Sequence, residues 1–239
     1  MIPPDQHLQI GSLLFEGLDQ IDLTGPFEVL SRIPNTTYRI YGKTADPVRD
    51  HRGLRITPDA AIADAPRLDV LHVPGGFGQE ALMEDTVILD WLRAQAGHAR
   101  IFSVCTGALI CGAAGLLVGR HVTTHWASFH LLRYFGATPV NERVVVDGDW
   151  IFAAGVTSGI DGALRLAAEL RGDDVAKGIQ LYMEYAPEPP FNSGTPETAP
   201  AAVLQQARLT VASMTAQREA TAQRIATRLG IVMPRPVDA

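Results

Sequence analysis

From Arg100 to Leu117 the chain reads RIFSVCTGALICGAAGLL. RIFSV is apolar and β-forming enough for a buried strand, and TGALICGAAGLL, from Thr106 on, is small and apolar at helical spacing. Cys105 therefore falls where a strand turns into a helix. Upstream, Leu68 to Val73 (LDVLHV) is a nearly continuous apolar run stopped by Pro74-Gly75-Gly76, as expected of a central parallel strand meeting a glycine turn. Leu8 to Phe15 forms another such run, and Leu23 to Ile33 is spaced for a helix with Pro26 in its first turn. Thr37 to Tyr41 is rich in β formers, and a helix is predicted from about Glu84 to Ala96. Downstream, Arg143 to Ala153 predicts a hairpin around Asp147-Gly148, and Ile160 to Leu170 and Val175 to Met183 predict helices.

This alternation predicts an α/β fold, a doubly wound flavodoxin-like sandwich with a mostly parallel central sheet, whose ligands bind at the carboxyl ends of the strands. Asp22, Gly75, Gly76, Cys105 and Gly155 each follow a predicted strand and on this reading share one crevice. The proline-rich EYAPEPPFNSGTPETAP after Met183 predicts an extended surface segment. Ala201 to Leu229 then resumes a helix. Its Leu204, Ala207, Val211, Met214, Ile225 and Leu229 fall at three- and four-residue steps, with Arg208, Arg218, Arg224 and Arg228 among them. It is expected to dock on its own body or on a partner subunit. Residues 1–200 are expected to form a single domain, with the helix and tail of residues 201–239 belonging to it.

Twenty Lys and Arg against 26 Asp and Glu give a net charge of −6, which argues against generic nucleic-acid binding. With 46% hydrophobic and 19% charged residues, the chain can bury a large core and is too poor in charge for disorder. No apolar run reaches the roughly 18 to 20 residues of a membrane helix, and Met1 to Gly11 lacks the charged and apolar parts of a secretory leader. A cytoplasmic location is expected. Cys105 and Cys111, the two cysteines, would sit about 9 Å apart along a helix and roughly 240° around it, so a disulfide between them is not expected.

A thiol at a helix N-terminus meets exposed N–H groups and the positive end of the helix dipole, which predicts a lowered pKa and a reactive Cys105. The alternative is a small buried hydrophobe, which is the expectation for Cys111. Asp22 has two compatible roles, an N-cap for the helix after it or a carboxyl group over the thiol with a raised pKa that passes protons. Thr106 either donates its hydroxyl or backbone N–H to a substrate or opens the helix. Gly75 and Gly76 offer a sharp turn with unobstructed amides. His125 and His130, in THWASFH, lack a metal-ligand pattern, and His125 is expected to order a loop near the crevice. The chain contains no H-x-E, GxSxG, Walker or GxGxxG sequence.

Six segments together carry a resemblance: DLTGPFEVL from Asp22, VPGG from Val73, SVCTGALICGAAGLL from Ser103, VTTHWAS from Val122, GVTSGID from Gly155 and EYAPEPPFNSGTP from Glu184. The chain resembles the DJ-1/PfpI superfamily, whose fold is the class I glutamine amidotransferase-like form of the sandwich, and within it the isocyanide-hydrating members. The likeness runs from about Leu8 to the final helix. Many other members place a glutamate over the cysteine and a histidine directly after it, where this chain has Asp22 and Thr106. Related transcription regulators append a helix-turn-helix domain, for which the roughly 40 residues after Pro200 are too few.

The resemblance implies hydration of an isocyanide, R–N≡C, to an N-substituted formamide, with neither metal nor organic cofactor and with the small isocyanide as the only ligand. Cys105 would attack the terminal carbon once the nitrogen is protonated, giving a thioimidate; Asp22 would deliver the proton and later assist water; Thr106 would hold the reacting atoms. Gly75, Gly76, Gly155 and Val156 would line the substrate site. A homodimer is implied, with no nucleic-acid or membrane partner. Two other readings stand beside this one: an enzyme acting on a carbonyl, such as a glyoxalase-like protein, and a non-catalytic sensor whose Cys105 is oxidised.

Overall fold

A computed structural model describes residues 2–232. In chain order the strands are β1 (Leu8–Leu14), β2 (Thr36–Gly42), β3 (Val48–Arg49), β4 (Arg55–Ile56), β5 (Ala60–Ala61), β6 (Val70–Val73), β7 (Arg100–Val104), β8 (His121–Val122), β9 (Thr138–Pro139), β10 (Val144–Asp147) and β11 (Trp150–Ala153). The helices are α1 (Gln20–Leu30), α2 (Gln79–Leu82), α3 (Thr86–Ala96), α4 (Gly107–Ala113), α5 (Ser158–Arg171), α6 (Asp173–Tyr182) and α7 (Ala201–Leu229), with a run of 3-10 turns over Trp126–Phe135. The main sheet runs β10-β11-β7-β6-β1-β2-β5, parallel except where β10 and β11 form the expected hairpin. This is the α/β sandwich expected from the alternation.

Each central strand buries both faces, because alternate side chains feed two separate cores. Ile101 of β7 joins Leu13, Leu71, Leu89 and Leu109 on one side. Phe102 and Val104 join Ile10, Val70 and Leu166 on the other. The second half of α7 packs on the first of these cores through Ala222 and Ile225. Its first half is less covered, with Val203 and Leu209 exposed. The tail expected beyond α7 lies, from residue 233, outside the described residues. Among the described residues no helix is long and apolar enough to cross a membrane.

The first helix starts earlier than the apolar spacing suggested. Asp19 is its N-cap, accepting from the Ile21 N–H at 3.2 Å. Asp22 therefore sits inside the first turn and is not the cap, and Pro26 lies in the helix interior. Proline has no N–H to give the carbonyl four residues back, so the Asp22 carbonyl loses its helical partner. Four neighbouring strands, β11, β7, β6 and β1, lead into Gly155, Cys105, Gly75 and Asp22 respectively, at one end of the sheet.

Candidate active site

Cys105 follows β7 directly and holds a left-handed backbone, φ 56°, that a side-chain-bearing residue adopts only when its surroundings enforce it. Two bonds do so. Its N–H donates to the Ala153 carbonyl at 2.9 Å, and its carbonyl accepts from the Thr124 hydroxyl at 2.6 Å. The strained turn places the sulfur against a cavity of about 320 Å³ that Phe77, Trp126, Val156, Val211 and Met214 make mostly apolar.

Asp22 is fully buried beside the thiol. Its Oδ2 accepts from the Gly75 N–H at 3.0 Å, while Oδ1 has no hydrogen-bond partner among the described residues. Burial foremost, and then the nearby Asp19 carboxylate, push its pKa up to about 7, against the pull of Cys105 and of the Gly75 amide. His72, buried on β6 and hydrogen-bonded to Ser12 at 2.7 Å, is pushed down to about 3 by burial, partly offset by the Asp22 carbonyl that Pro26 frees. It is neutral.

The expected lowering of the Cys105 pKa is overturned. Burial and the Asp22 charge push the thiol well above its usual range, against the pull of the Thr106 N–H and of Arg218. The helix-dipole argument is local, and α4 has only seven residues; desolvation comes from the whole fold and wins. A thiolate therefore has to form by passing its proton to a neighbour, and the carboxyl group of Asp22 is in place to take it.

Thr106 spends its hydroxyl on the glycine turn: Oγ1 accepts from the Gly76 N–H at 3.1 Å. Gly75 must lack a side chain because a Cβ there would stand 2.5 Å from the Thr106 nitrogen, and Gly76 has φ 139°, open only to glycine. Gly76 and Val156 line the cavity; Gly75 holds Asp22 from behind. Gly155 does not reach this cavity. It borders a second one, about 390 Å³, across His125 and Trp126. Cys111 is wholly buried inside α4, as expected. Among the described residues no group of three or more His, Cys, Asp or Glu is placed to hold a metal ion.

Two further cavity residues bear on its chemistry: His125, which was expected to order a loop near the crevice, and Arg218, which was not among the expected site residues. His125 caps the 3-10 run, its Nδ1 accepting from the Ala127 N–H at 3.3 Å, and burial pushes its pKa down to about 4, so it stays neutral. Arg218 of α7 reaches the cavity wall and donates through Nη2 to the Gly76 carbonyl at 2.6 Å. The signal for it was in the sequence: a charged residue in step with Val211, Met214 and Ile225 on the apolar stripe of a helix.

A cysteine on a strained strand-to-helix turn, met by a carboxyl group from the first strand-to-helix turn, defines a class of α/β protein. The DJ-1/PfpI family matches residues 9–169, and the chain belongs to that family. It is 49% identical over 225 residues to the isonitrile hydratase of Pseudomonas putida, spanning 94% of this chain and 99% of that one. A solved ThiJ/PfpI family protein from Pseudomonas syringae covers 92% of this chain and 93% of its own, with a TM-score of 0.89 and 41% identity. DJ-1beta of Drosophila melanogaster, at 23% identity and a TM-score of 0.67, shares the fold over 76% of this chain and 100% of its own. Helix α7 lies beyond the residues that the family matches.

Proposed function

We propose that this chain hydrates isocyanides, R–N≡C, to N-substituted formamides through a covalent thioimidate on Cys105. The observation that carries the reading is the pairing of Cys105, on the wall of a mostly apolar cavity, with the buried carboxyl group of Asp22 beside it, whose Oδ1 has no hydrogen-bond partner among the described residues. The 49% identity to an isonitrile hydratase over nearly both chains supports it.

The chemistry needs one thiolate and one proton, and the Asp22 and Cys105 pair supplies both when it holds a single shared proton. The lone pair of an isocyanide sits on its terminal carbon, so the proton goes there and not to nitrogen as first supposed. Asp22 gives that carbon its proton, the C–H bond forms, and the Cys105 sulfur adds to the same carbon, giving R–N=CH–S-Cys. Asp22 is now a carboxylate. It takes a proton from water as the water oxygen adds to the carbon, and the nitrogen gains that proton. Collapse of R–NH–CH(OH)–S-Cys breaks the C–S bond, releases R–NH–CHO and returns a proton to the pair. The Thr106 N–H steadies negative charge on sulfur, and its hydroxyl keeps the Gly75-Gly76 turn in register behind Asp22. Gly76 and Val156 line the substrate space, and Gly155 supports that wall from the second cavity.

The test is formamide release from cyclohexyl isocyanide, followed by mass spectrometry, with trapping of the adduct on Cys105 at short times. Turnover with an adduct of isocyanide mass on Cys105 supports the reading. Absence of turnover by reduced protein over several isocyanides overturns it. The same reading takes the chain as a cytoplasmic homodimer in which α7 belongs to the domain of residues 1–200; light scattering on the purified protein, giving twice or once the 25.8 kDa chain mass, decides the dimer.

A further inference from the structure

Arg218 is 2% exposed, yet among the described residues no carboxylate lies within ion-pair distance of it. Removing a cation from water without a counter-ion is costly, so an arginine left this way in a cavity wall is placed to receive an anion. Its donors are only partly used. Nη2 donates to the Gly76 carbonyl at 2.6 Å, Nη1 donates to the Ser128 hydroxyl at 3.4 Å, and Nε has no partner among the described residues.

The neighbouring carboxylates are committed elsewhere. Asp19 caps α1, and Glu80 accepts from the Thr221 hydroxyl at 2.5 Å. Asp22 is tied to Gly75 and to the thiol. Charge on the Cys105 sulfur is felt at Arg218, but the sulfur shares one proton with Asp22 and is not a fixed counter-ion. Burial pulls the guanidinium below its ordinary pKa, and it remains charged at neutral pH. Of the rest of the cavity, Val211, Met214, Phe77 and Trp126 are apolar or aromatic, while the capping Asp19, the neutral His125, Thr106 and Thr210 supply its other polar groups.

We propose that Arg218 is the specificity-determining residue of this cavity, binding a carboxylate carried on the substrate's substituent, so that the preferred ligands have a short apolar body with one anionic end. The fork of N–H groups on a guanidinium suits the two oxygens of a carboxylate. Helix α7, outside the family match, thus adds selectivity to a cysteine site built by the sandwich. This rests on the isocyanide reading for the identity of the reacting group but not for the carboxylate.

The test uses Cys105→Ala protein, in which no turnover intervenes, and calorimetric titration with N-formylglycine and with its neutral counterpart N-ethylformamide. N-formylglycine is expected to bind at least about 30-fold tighter. Adding Arg218→Gln is expected to collapse that preference to less than about 3-fold, while Arg218→Lys keeps part of it. Equal affinities in the Cys105→Ala protein, which need no change at Arg218, would overturn the proposal. So would a preference that survives Arg218→Gln, or an equal loss for both ligands, which would assign Arg218 to holding the Gly76 turn. A ratio taken between two ligands on one protein separates selectivity from damage to the fold. If no isocyanide is hydrated but N-formylglycine still binds through Arg218, the reaction assignment fails and the carboxylate site stands.

Discussion

Cys105 and Cys111 belong to one short segment, both are buried, and burial pushes both thiols up, Cys111 to about 12. By acidity alone neither is a nucleophile at neutral pH. They differ in surroundings. Cys111 lies on a regular helix among apolar side chains, and only its own backbone offsets its burial. Cys105 sits on a left-handed turn at a cavity, with a carboxyl group, a backbone N–H and a guanidinium acting on its sulfur. The contrast teaches that reactivity here depends on a proton partner and an open approach, and not on a thiolate formed in advance by a helix dipole.

Removing the sulfur tests the contrast most severely. Cys105→Ala is expected to lower formamide release by at least about 10⁴-fold while circular dichroism shows a folded protein. Comparable turnover in that variant would erase the distinction between the two cysteines. Asp22→Asn comes next, with a loss of roughly 10² to 10³-fold, since the amide fits the same space and still accepts from Gly75 but holds no transferable proton. The wild-type kcat/KM is expected to rise as pH passes about 7, where the pair gives up its first proton and reaches its reactive form. The variant should show no such rise. An unchanged pH profile would reduce Asp22 to a structural acceptor.

The same substitution has a stability consequence of opposite sign. Asp22 titrates near 3.8 when unfolded and near 7 when folded, so the fold favours its neutral form. That advantage is complete below pH 3.8 and is lost as pH rises to 7. Above pH 7 the native state carries a buried carboxylate. Asp22→Asn removes that burden, and denaturant titration at pH 8 should show a gain on the order of 4 kcal/mol that vanishes near pH 4. An enzyme less active and more stable after one isosteric change is what a functional buried acid predicts.

Local patterns made the scaffold legible and left the electrostatics hidden. RIFSV marked β7, and the stripe from Leu204 to Leu229 marked α7 with its bounds, because periodic burial writes itself into neighbouring positions. The cap at Asp19 escapes the apolar spacing, which starts at Leu23, because Ile21, two residues earlier, is exposed. The approach of Asp22 to Cys105 was inferred from each residue following a strand, a topological argument that holds in this class of fold. Gly155 follows the same rule and misses the cavity, since the His125 and Trp126 segment stands between. The direction of the Cys105 shift and the isolation of Arg218 depend on what surrounds a group in three dimensions, which spacing along the chain does not encode.

The smallest expected effect returns to Cys111. Replacing it with serine keeps the shape of the site and puts a hydroxyl among apolar side chains, where only the helix's own carbonyl four residues back, that of Gly107, is available to accept its proton. The expected cost is about 1 to 3 kcal/mol in denaturant unfolding, with kcat/KM unchanged because nothing at the cavity moves. Iodoacetamide with peptide mass mapping completes the pair. In folded wild-type protein alkylation should concentrate on Cys105 and spare Cys111, and in denaturant the two should react alike, since their difference is a property of the fold. If Cys111→Ser instead lowered kcat/KM tenfold or more at full folding, α4 would be transmitting strain to the turn at Cys105, and the two cysteines would have to be treated as one coupled unit.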